Sequence, residues 1–297
     1  MQIPDDVTVT ATQLSAYDGV TLAADHFVPQ GRRPSYGVLI APAMGVPRGY
    51  YRSFAAALAQ GGAQVLVPDY RGIGGSGPAK QDASLRLWGE ADLSAAAARL
   101  RAELPNLPLG YVGHSVGGQL FGLVQGAAFD AAYFVASQSG YWRGWPGLSR
   151  VGMWAFWHLV VPGLTAGYGL LPMRRFGQGE DVPLGVAREW ASWGKHPRYM
   201  RSYADNHGGL GYARWSGPMR LISISDDGFA PAPTVDALAS LYEAARTDRV
   251  HLTPEGLGLK SLGHFGYFRP AHRETLWRDA ESWLRTNLGL PSAAPRE

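Results

Sequence analysis

The chain has 297 residues, of which 46% are hydrophobic and 17% charged, a composition typical of a globular protein with a large core. Its formal net charge is only +3 and its basic residues are scattered, which argues against a nucleic-acid partner. The sequence contains no cysteine, which excludes disulfides, thiolate nucleophiles and cysteine-ligated metals.

The first half of the chain alternates between strand-like and helix-like segments. Alternating β-branched residues predict a hairpin with strands at 7–17 and 20–28, turning at Asp18-Gly19. Apolar runs then predict strands at 37–41, 64–68, 109–112 and 131–136, and apolar spacing predicts helices at 50–60, at 90–103 and from Val116. This alternation predicts an α/β fold with a mostly parallel sheet and helices on both faces.

The alternation stops at residue 140 and resumes with a strand at 218–225, a helix at 234–245, a strand at 249–253 and a final helix at 270–288. The sequence between, residues 141–215, is rich in Trp, Gly and Pro and has no clear strand. An insertion of this kind lies over the crevice where ligands bind at the strand ends of a parallel sheet. We therefore predict a core of residues 1–140 and 216–297, with 141–215 as a Trp-rich cap over the site.

The cap is expected to supply apolar pocket walls. The predicted substrate-binding residues are Trp142, Trp145, Trp154 and Trp157, although about half of the cap tryptophans are expected to form its own core. Residues 151–173 carry no formal charge, but Pro162 and several glycines interrupt them, so we predict no membrane span and keep contact with a lipid surface as an alternative. Residues 1–6 do not resemble a signal peptide, and a cytoplasmic location is expected.

The most informative motif is Gly113-His114-Ser115-Val116-Gly117-Gly118, between a predicted strand and a predicted helix. A sharp turn of this kind presents a serine at the end of the sheet and favours glycine two residues before and after it. Ser115 is therefore the predicted nucleophile. Its hydroxyl needs a base, and that base needs an orienting acid.

Three histidines could supply the base. His251 lies inside a predicted strand and His272 in the first turn of the final helix, where a surface position is expected. His264 lies in a flexible, glycine-flanked loop after the last strand and is the predicted base. The acid is Asp226 or Asp227, which follow the strand at 218–225, and the other aspartate is expected to cap a turn or helix.

An oxyanion hole requires two backbone N–H groups directed at the developing charge. The first predicted donor is Val116, at the start of the helix after the nucleophile. The second is Met44, in the loop after the strand at 37–41, where Gly45 gives the chain freedom to turn inward. No metal or organic cofactor is required by this chemistry.

From residue 18 to residue 288 the chain resembles the α/β-hydrolase family, and within it the serine aminopeptidase, monoglyceride lipase and esterase branch. The resemblance rests on the serine motif, on the glycine-rich loop at 69–76, on Asp226-Asp227-Gly228-Phe229-Ala230-Pro231 and on Gly263-His264-Phe265, in the order Ser, Asp, His. It implies a cap after the sixth strand and makes Asp227 the acid. Pro42-Ala43 stands where the branch has His-Gly before the oxyanion residue.

The predicted function is hydrolysis of a carboxylic ester, thioester or amide through an acyl-enzyme, and the expected partner is a small-molecule acyl substrate with an apolar or bulky group. An acyltransferase or a C–C bond hydrolase would use the same triad, and a ligand receptor could retain it without turnover. An aspartate-nucleophile dehalogenase or epoxide hydrolase is disfavoured because Ser115 occupies the nucleophile position. Oligomeric state has no signal in the sequence.

Overall fold

The computed structural model describes residues 3–78, 82–208 and 210–291. Within these ranges eight strands form one sheet, in the order β1-β2-β4-β3-β5-β6-β9-β10, and two short strands, β7 and β8, pair separately. The strands are β1 Val7–Ser15, β2 Thr21–Pro29, β3 Tyr36–Ala41, β4 Ala63–Pro68, β5 Leu109–His114, β6 Ala131–Val135, β7 Leu170–Leu171, β8 Val182–Pro183, β9 Pro218–Ile224 and β10 Arg246–Leu252.

Helices connect the strands of the main sheet and fill the long segment between β6 and β9. They are α1 Arg52–Gln60, α2 Leu85–Leu87, α3 Ser94–Glu103, α4 Val116–Gln119, α5 Ser149–Ala155, α6 Val161–Tyr168, α7 Leu184–Gly194, α8 Arg201–Asp205, α9 Leu210–Arg214, α10 Ala232–Ala239, α11 Gly263–Gly266 and α12 Arg278–Asn287. Wider π-helical turns at Trp88–Leu93, Phe156–Val160 and Arg273–Trp277 lead into α3, α6 and α12.

The sheet is mostly parallel, as the alternation of elements predicts. β1 pairs with β2 and β2 with β4 in antiparallel fashion, and each remaining neighbouring pair of the main sheet is parallel. After β3 the chain adds β4 on one side and then crosses to add β5 on the other. In open α/β sheets such a reversal leaves a crevice at the carboxyl ends of the two strands, where ligands bind.

The centre of the sheet is completely enclosed. Every residue of β3, β4, β5 and β6 is buried. Strands covered on both faces read as continuous apolar runs rather than alternating ones, because neither face meets water. This burial holds the carboxyl ends of β3 and β5 in place, and the segments that follow these two strands begin there.

Several elements differ from their predicted form. The helix predicted from Val116 is a single turn, α4, followed by a 3-10 turn at Leu120–Leu123, since Gly117 and Gly118 support a helix poorly. Residues 141–215, the inserted segment, include the short β7–β8 pair that the sequence did not indicate. No helix in the described ranges is long and apolar enough to cross a membrane.

The glycine-rich loop after β4 is held by buried charges. Asp69 accepts the backbone N–H groups of Arg48 at 2.6 Å and Gly75 at 2.8 Å. Arg71 is also buried and donates to Asp92 at 2.8 Å and to Asp18 at 2.5 Å. Burial raises the pKa of the Asp92 carboxyl to about 6, against the lowering effect of Arg71. The loop is therefore a structural support beside the crevice.

Candidate active site

Ser115 lies in a strained turn between β5 and α4. Its φ of 51° and ψ of −117° are rarely adopted by a residue other than glycine. A Cβ atom at Gly113 would lie 2.4 Å from Gly118 Cα, and one at Gly117 would lie 2.1 Å from the Ala41 carbonyl oxygen. Gly113 therefore needs to be glycine because the turn folds back onto it, and Gly117 because the turn packs against the end of β3.

His264 and Asp227 form a direct hydrogen bond. The Nδ1 atom of His264 lies 2.7 Å from Oδ2 of Asp227, and both side chains are buried. The other carboxylate oxygen of Asp227 accepts the backbone N–H groups of Phe229 at 2.8 Å and Ala230 at 3.1 Å. A carboxylate only accepts, so Nδ1 carries the proton and Nε2 is left as the acceptor.

Asp226 has a different set of partners. Its two oxygens accept the backbone N–H groups of Leu262 and Gly263, each at 2.9 Å. These residues come just before His264, which lies in the single turn α11 rather than in the flexible loop expected from the sequence. The two adjacent carboxylates thus divide their contacts, one holding the imidazole and the other the backbone leading to it.

A chain of hydrogen bonds joins the loop after β3 to the histidine turn through the residue before the serine. The N–H of Ala43 donates to the Tyr51 hydroxyl at 2.8 Å, and that oxygen lies 2.8 Å from Nδ1 of His114. On the other side of the ring, Nε2 of His114 lies 2.9 Å from the backbone carbonyl oxygen of His264. Since a carbonyl only accepts, Nε2 donates and Nδ1 accepts the Tyr51 proton.

His114 is held neutral in this position. Complete burial lowers the pKa of its imidazole well below the usual value of 6.5, and the neighbouring His264 lowers it further. A neutral ring matches the hydrogen bonds it makes, one donated and one accepted. His114 and Tyr51 had no predicted role, and a tyrosine in a helix-like segment gives no signal of such contacts.

The predicted oxyanion donors follow adjacent parallel strands. Ala41, at the end of β3, pairs in register with Gly113 of β5, so the chains carrying Met44 and Val116 leave the sheet side by side. Val116 is the first residue of α4, where backbone N–H groups have no partner within the helix. The N–H of Ala43 is already bonded to Tyr51, which leaves Met44 as the next amide along the loop.

Ser115, His264 and Met44 line one cavity of about 340 Å³. Its other walls come mainly from the inserted segment and from loops after β6 and β9. They are formed by Ala43, Gln138, Gly140, Trp145, Met153, Phe156, Trp157, Val160, Leu164, Leu171, Met173, Phe176, Gln178, Trp190, Phe229 and Phe265. Among these described lining residues there is no Asp, Glu, Lys or Arg.

Two of the four predicted substrate-binding tryptophans lie in this lining. Trp145 and Trp157 contribute to it, whereas Trp142 lies beneath the Arg143 guanidinium and Trp154 stacks on His158. The structure therefore does not place Trp142 or Trp154 in the lining of this cavity. Trp190 also lines the cavity and is not one of the four predicted residues. The helical spacing of Met153, Phe156, Trp157, Val160 and Leu164 is a sequence signal that could have found the cavity wall.

The indole N–H groups of the lining tryptophans have hydrogen-bond partners within the protein. The indole N–H of Trp157 donates to the Gly140 carbonyl at 2.9 Å, and that of Trp190 donates to the Tyr199 hydroxyl at 2.9 Å. The Trp145 indole has a longer contact with the Gly228 carbonyl, at 3.4 Å. The rings therefore present apolar carbon surface to whatever occupies the cavity.

The remaining candidate groups lie elsewhere. His251 is exposed on β10, with Nδ1 2.8 Å from the Ser223 hydroxyl. His272 is buried rather than on the surface as expected, because it lies in a turn packed at the start of the final helical segment. Of the residues that the structure describes, no group of three His, Asp or Glu side chains is placed to hold a metal ion.

Comparisons with known proteins agree with this architecture. Residues 32–158 match the family model described as serine aminopeptidase, S33, a range that includes Met44 and Ser115 but ends before Asp227 and His264. No curated protein matches the chain in sequence.

Solved structures match over almost the whole chain. A thermostable carboxyl esterase from Bacillus coagulans has a TM-score of 0.66 at 13% identity, covering 95% of this chain and 99% of its own. An esterase from Exiguobacterium antarcticum has a TM-score of 0.62 at 15% identity, covering 93% and 100%. A brefeldin A esterase, described as a bacterial homologue of human hormone sensitive lipase, has a TM-score of 0.60 at 18% identity, covering 98% and 80%. At these identities the likeness establishes a shared fold.

Proposed function

We propose that this chain, which has the α/β-hydrolase fold and resembles that family in its motifs, is a serine hydrolase that cleaves carboxylic esters. The observation that carries the proposal is the buried hydrogen bond of 2.7 Å between His264 and Asp227, beside a cavity that Ser115 also lines. A base oriented by an acid, facing a serine on a strained turn, is the arrangement that activates a hydroxyl at neutral pH.

In the proposed reaction, Nε2 of His264 takes the proton of the Ser115 hydroxyl as the oxygen attacks the ester carbonyl. This step requires a hydrogen bond between Ser115 and His264, which line the same cavity. The N–H groups of Val116 and Met44 hold the resulting oxyanion, and each such donor is worth about 3–4 kcal/mol of the barrier. The ester C–O bond then breaks, and His264 gives its proton to the departing alcohol.

The second half of the reaction repeats the first with water. His264 removes a proton from a water molecule, whose oxygen attacks the acyl carbon of the Ser115 ester. When the bond between that carbon and the serine oxygen breaks, the proton returns to Ser115 and the carboxylic acid leaves. Asp227 keeps the imidazole in the tautomer that both halves require and stabilises the imidazolium that forms.

The lining of the cavity favours an ester with a neutral, apolar acyl group. An aminopeptidase must hold the positively charged amino terminus of its substrate, and a charge in a dry site needs an opposite charge beside it. The described lining supplies no carboxylate. Apolar acyl chains instead match the aromatic and aliphatic walls. We further propose that the inserted segment acts as the cap that keeps water from this site.

The test is labelling with a fluorophosphonate together with hydrolysis of p-nitrophenyl esters. Ser115→Ala should lose labelling and lower kcat by about 10⁶-fold while remaining folded. Ser139→Ala is the matched control, since Ser139 is equally buried and lies between two residues near the same cavity. Full labelling of the Ser115→Ala protein would contradict the proposal. Labelling without product release would instead indicate a receptor.

A panel of substrates tests the acyl preference separately. Esters with apolar acyl chains should have a higher kcat/KM than acetyl esters of the same leaving group, because the longer chain buries more apolar surface. Amino-acyl anilides with a free amino group should be poor substrates. Preference for those anilides would contradict the assignment of an ester substrate.

A further inference from the structure

The outer face of the inserted segment has an unusual combination of charge and exposure. Residues 141–179 include four arginines and no aspartate or glutamate. Within this stretch Leu148 is 89% exposed, Val151 62% and Leu159 60%. Their spacing places them on one side of the α5–α6 helical segment, which we call the apolar face. Contiguous apolar exposure of this kind marks an interaction surface.

The opposite side of the same helices forms the cavity wall, through Met153, Trp157 and Leu164. At the edge between the two sides, Val160 lines the cavity and is itself exposed. Phe176 and Phe229 likewise combine contact with the cavity and exposure to solvent. The mouth of the cavity therefore opens beside the apolar face.

A second pocket, of about 190 Å³, lies between α6 and α7 on the other flank of that face. It is lined by Val161, Pro162, Thr165, Arg188, Ala191 and Lys195. The Thr165 hydroxyl donates to the Val161 carbonyl at 2.8 Å. The side chains of Arg188 and Lys195 are therefore the polar groups of this lining that are left to bind a ligand. In the part of the chain that the structure describes, neither Arg188 nor Lys195 forms an ion pair. A pocket with two cations and no acid fits an anionic group such as a phosphate.

We propose that the inserted segment docks on the surface of an anionic phospholipid bilayer. The apolar face enters the headgroup region, as the face of an interfacial helix does, and Arg188 and Lys195 hold the phosphate of one lipid. Arg150, an exposed cation of helix α5, adds attraction to the negative membrane surface. A second copy of the chain fits less well, because a symmetric contact on this face would bring the like-charged Arg150, Arg188 and Lys195 of the two copies together.

Docking in this orientation determines where the cavity opens. With the apolar face in the membrane, the mouth lined by Val160, Phe176 and Phe229 meets the acyl region of the lipid layer. An acyl ester dissolved in the bilayer then reaches Ser115 without crossing water. Docking itself does not depend on the proposed hydrolysis, so the Ser115→Ala protein should float with the vesicles as the wild type does.

The experiment is flotation of the full chain with vesicles. One set contains only phosphatidylcholine and the other contains phosphatidylcholine with phosphatidylglycerol. We expect the protein to float with the anionic vesicles, to bind the neutral vesicles weakly, and to be released as salt is raised, because salt screens exposed charges.

Two double variants test the two parts of the surface. Val151→Ser with Leu159→Ser removes exposed apolar groups and should lower the partition coefficient at least tenfold. Arg188→Gln with Lys195→Gln should lower it about thirtyfold on anionic vesicles and leave neutral vesicles unaffected. Arg246→Gln with Lys260→Gln is the matched control, since both residues are exposed cations outside the inserted segment. It should retain most of the binding.

Hydrolysis of a short soluble ester should be unchanged in all three proteins, which shows that they are folded. Several outcomes would overturn the proposal: no flotation with either vesicle, equal flotation with both, or an equal loss in the control variant. A concentration-dependent dimer that Val151→Ser with Leu159→Ser abolishes would show that a second copy covers the apolar face instead.

Discussion

At the scale of single residues, the neighbouring carboxylates of Asp226 and Asp227 have separate roles because they bind different groups. Asp227 faces the imidazole of His264, and its second oxygen is fixed by the amides of Phe229 and Ala230. Asp226 instead fixes the backbone that leads into the histidine turn. The sequence shows the pair of aspartates and a family resemblance favours the second, but only coordinates reveal which direction each side chain takes.

This division predicts unequal effects of substitution at the two aspartates. Asp227→Asn should lower kcat by about 10³- to 10⁴-fold, because an amide no longer holds His264 in the required tautomer. Asp226→Asn retains one acceptor oxygen for two backbone donors and should cost about 1–3 kcal/mol of stability, with a much smaller loss of kcat. Steady-state kinetics and denaturant unfolding measure both quantities. A larger loss of kcat in Asp226→Asn would reverse the assignment.

At the scale of elements, the inserted segment builds the cavity wall by packing α7 against the π-helical turn before α6. Gly194, at the end of α7, lies against the ring of Trp157, and a Cβ atom there would be 2.4 Å from it. The sequence predicted an aromatic insertion at this place, and helical spacing contains the signal for its inner side. The π turn and the contact between separate helices could not be predicted, because they depend on how the tryptophan rings fit together.

This contact predicts that Gly194→Ala narrows the cavity. The added methyl must displace the buried Trp157 ring, and such overpacking costs about 1–3 kcal/mol, against a gain in helix propensity of about 1 kcal/mol. The displaced ring should raise KM for esters of bulky acids more than for acetyl esters.

The matched control for Gly194→Ala is Gly152→Ala in α5, where a Cβ atom meets nothing within 4 Å. It should stabilise the protein by about 0.5–1 kcal/mol and leave the ratio of the two KM values unchanged. An identical ratio in both variants would show that Trp157 does not limit the space for the acyl group.

At the scale of the whole molecule, the site is assembled from segments far apart in the chain. The strand pattern, the serine turn and the histidine all have local signals, so the sheet and most candidate residues were predictable. The hydrogen-bond chain through Tyr51 and His114 links residues 43 and 264 and had no local signal. Tyr51 and His114 have no distinctive pattern in the sequence around them. The hydrogen bonds form only once the sheet brings the ends of β3 and β5 together.

The buried His114 predicts a dependence of stability on pH. Its pKa in the folded protein is well below the 6.5 expected of an unfolded chain, so the unfolded state binds the proton first as the pH falls. The contribution of His114 to the free energy of unfolding is therefore complete above pH 6.5. Below that pH it falls by about 1.4 kcal/mol per pH unit until the folded state also takes up a proton.

Denaturant unfolding of the wild type and of His114→Gln, from about pH 7 to about pH 5, measures this contribution. The variant should be less stable at neutral pH, and its free energy of unfolding should fall less steeply as the pH is lowered. Taking the difference between the two proteins removes the contribution of other histidines. Parallel curves would show that the His114 ring does not stay neutral when folded.

The hydrogen bonds around His114 also fix where a single hydrogen atom must be. The Ala43 amide can only donate, so the Tyr51 oxygen accepts that hydrogen bond. The Tyr51 hydroxyl then donates a hydrogen bond to Nδ1 of His114, which leaves the ring hydrogen on Nε2. Sealed from solvent between the two halves of the site, that hydrogen should exchange slowly and give a resolved signal in a proton magnetic resonance spectrum. The exchange rate of this hydrogen reports on motion in the site. Any motion that separates the histidine turn from the serine turn breaks its hydrogen bond to the His264 carbonyl and lets it exchange with solvent.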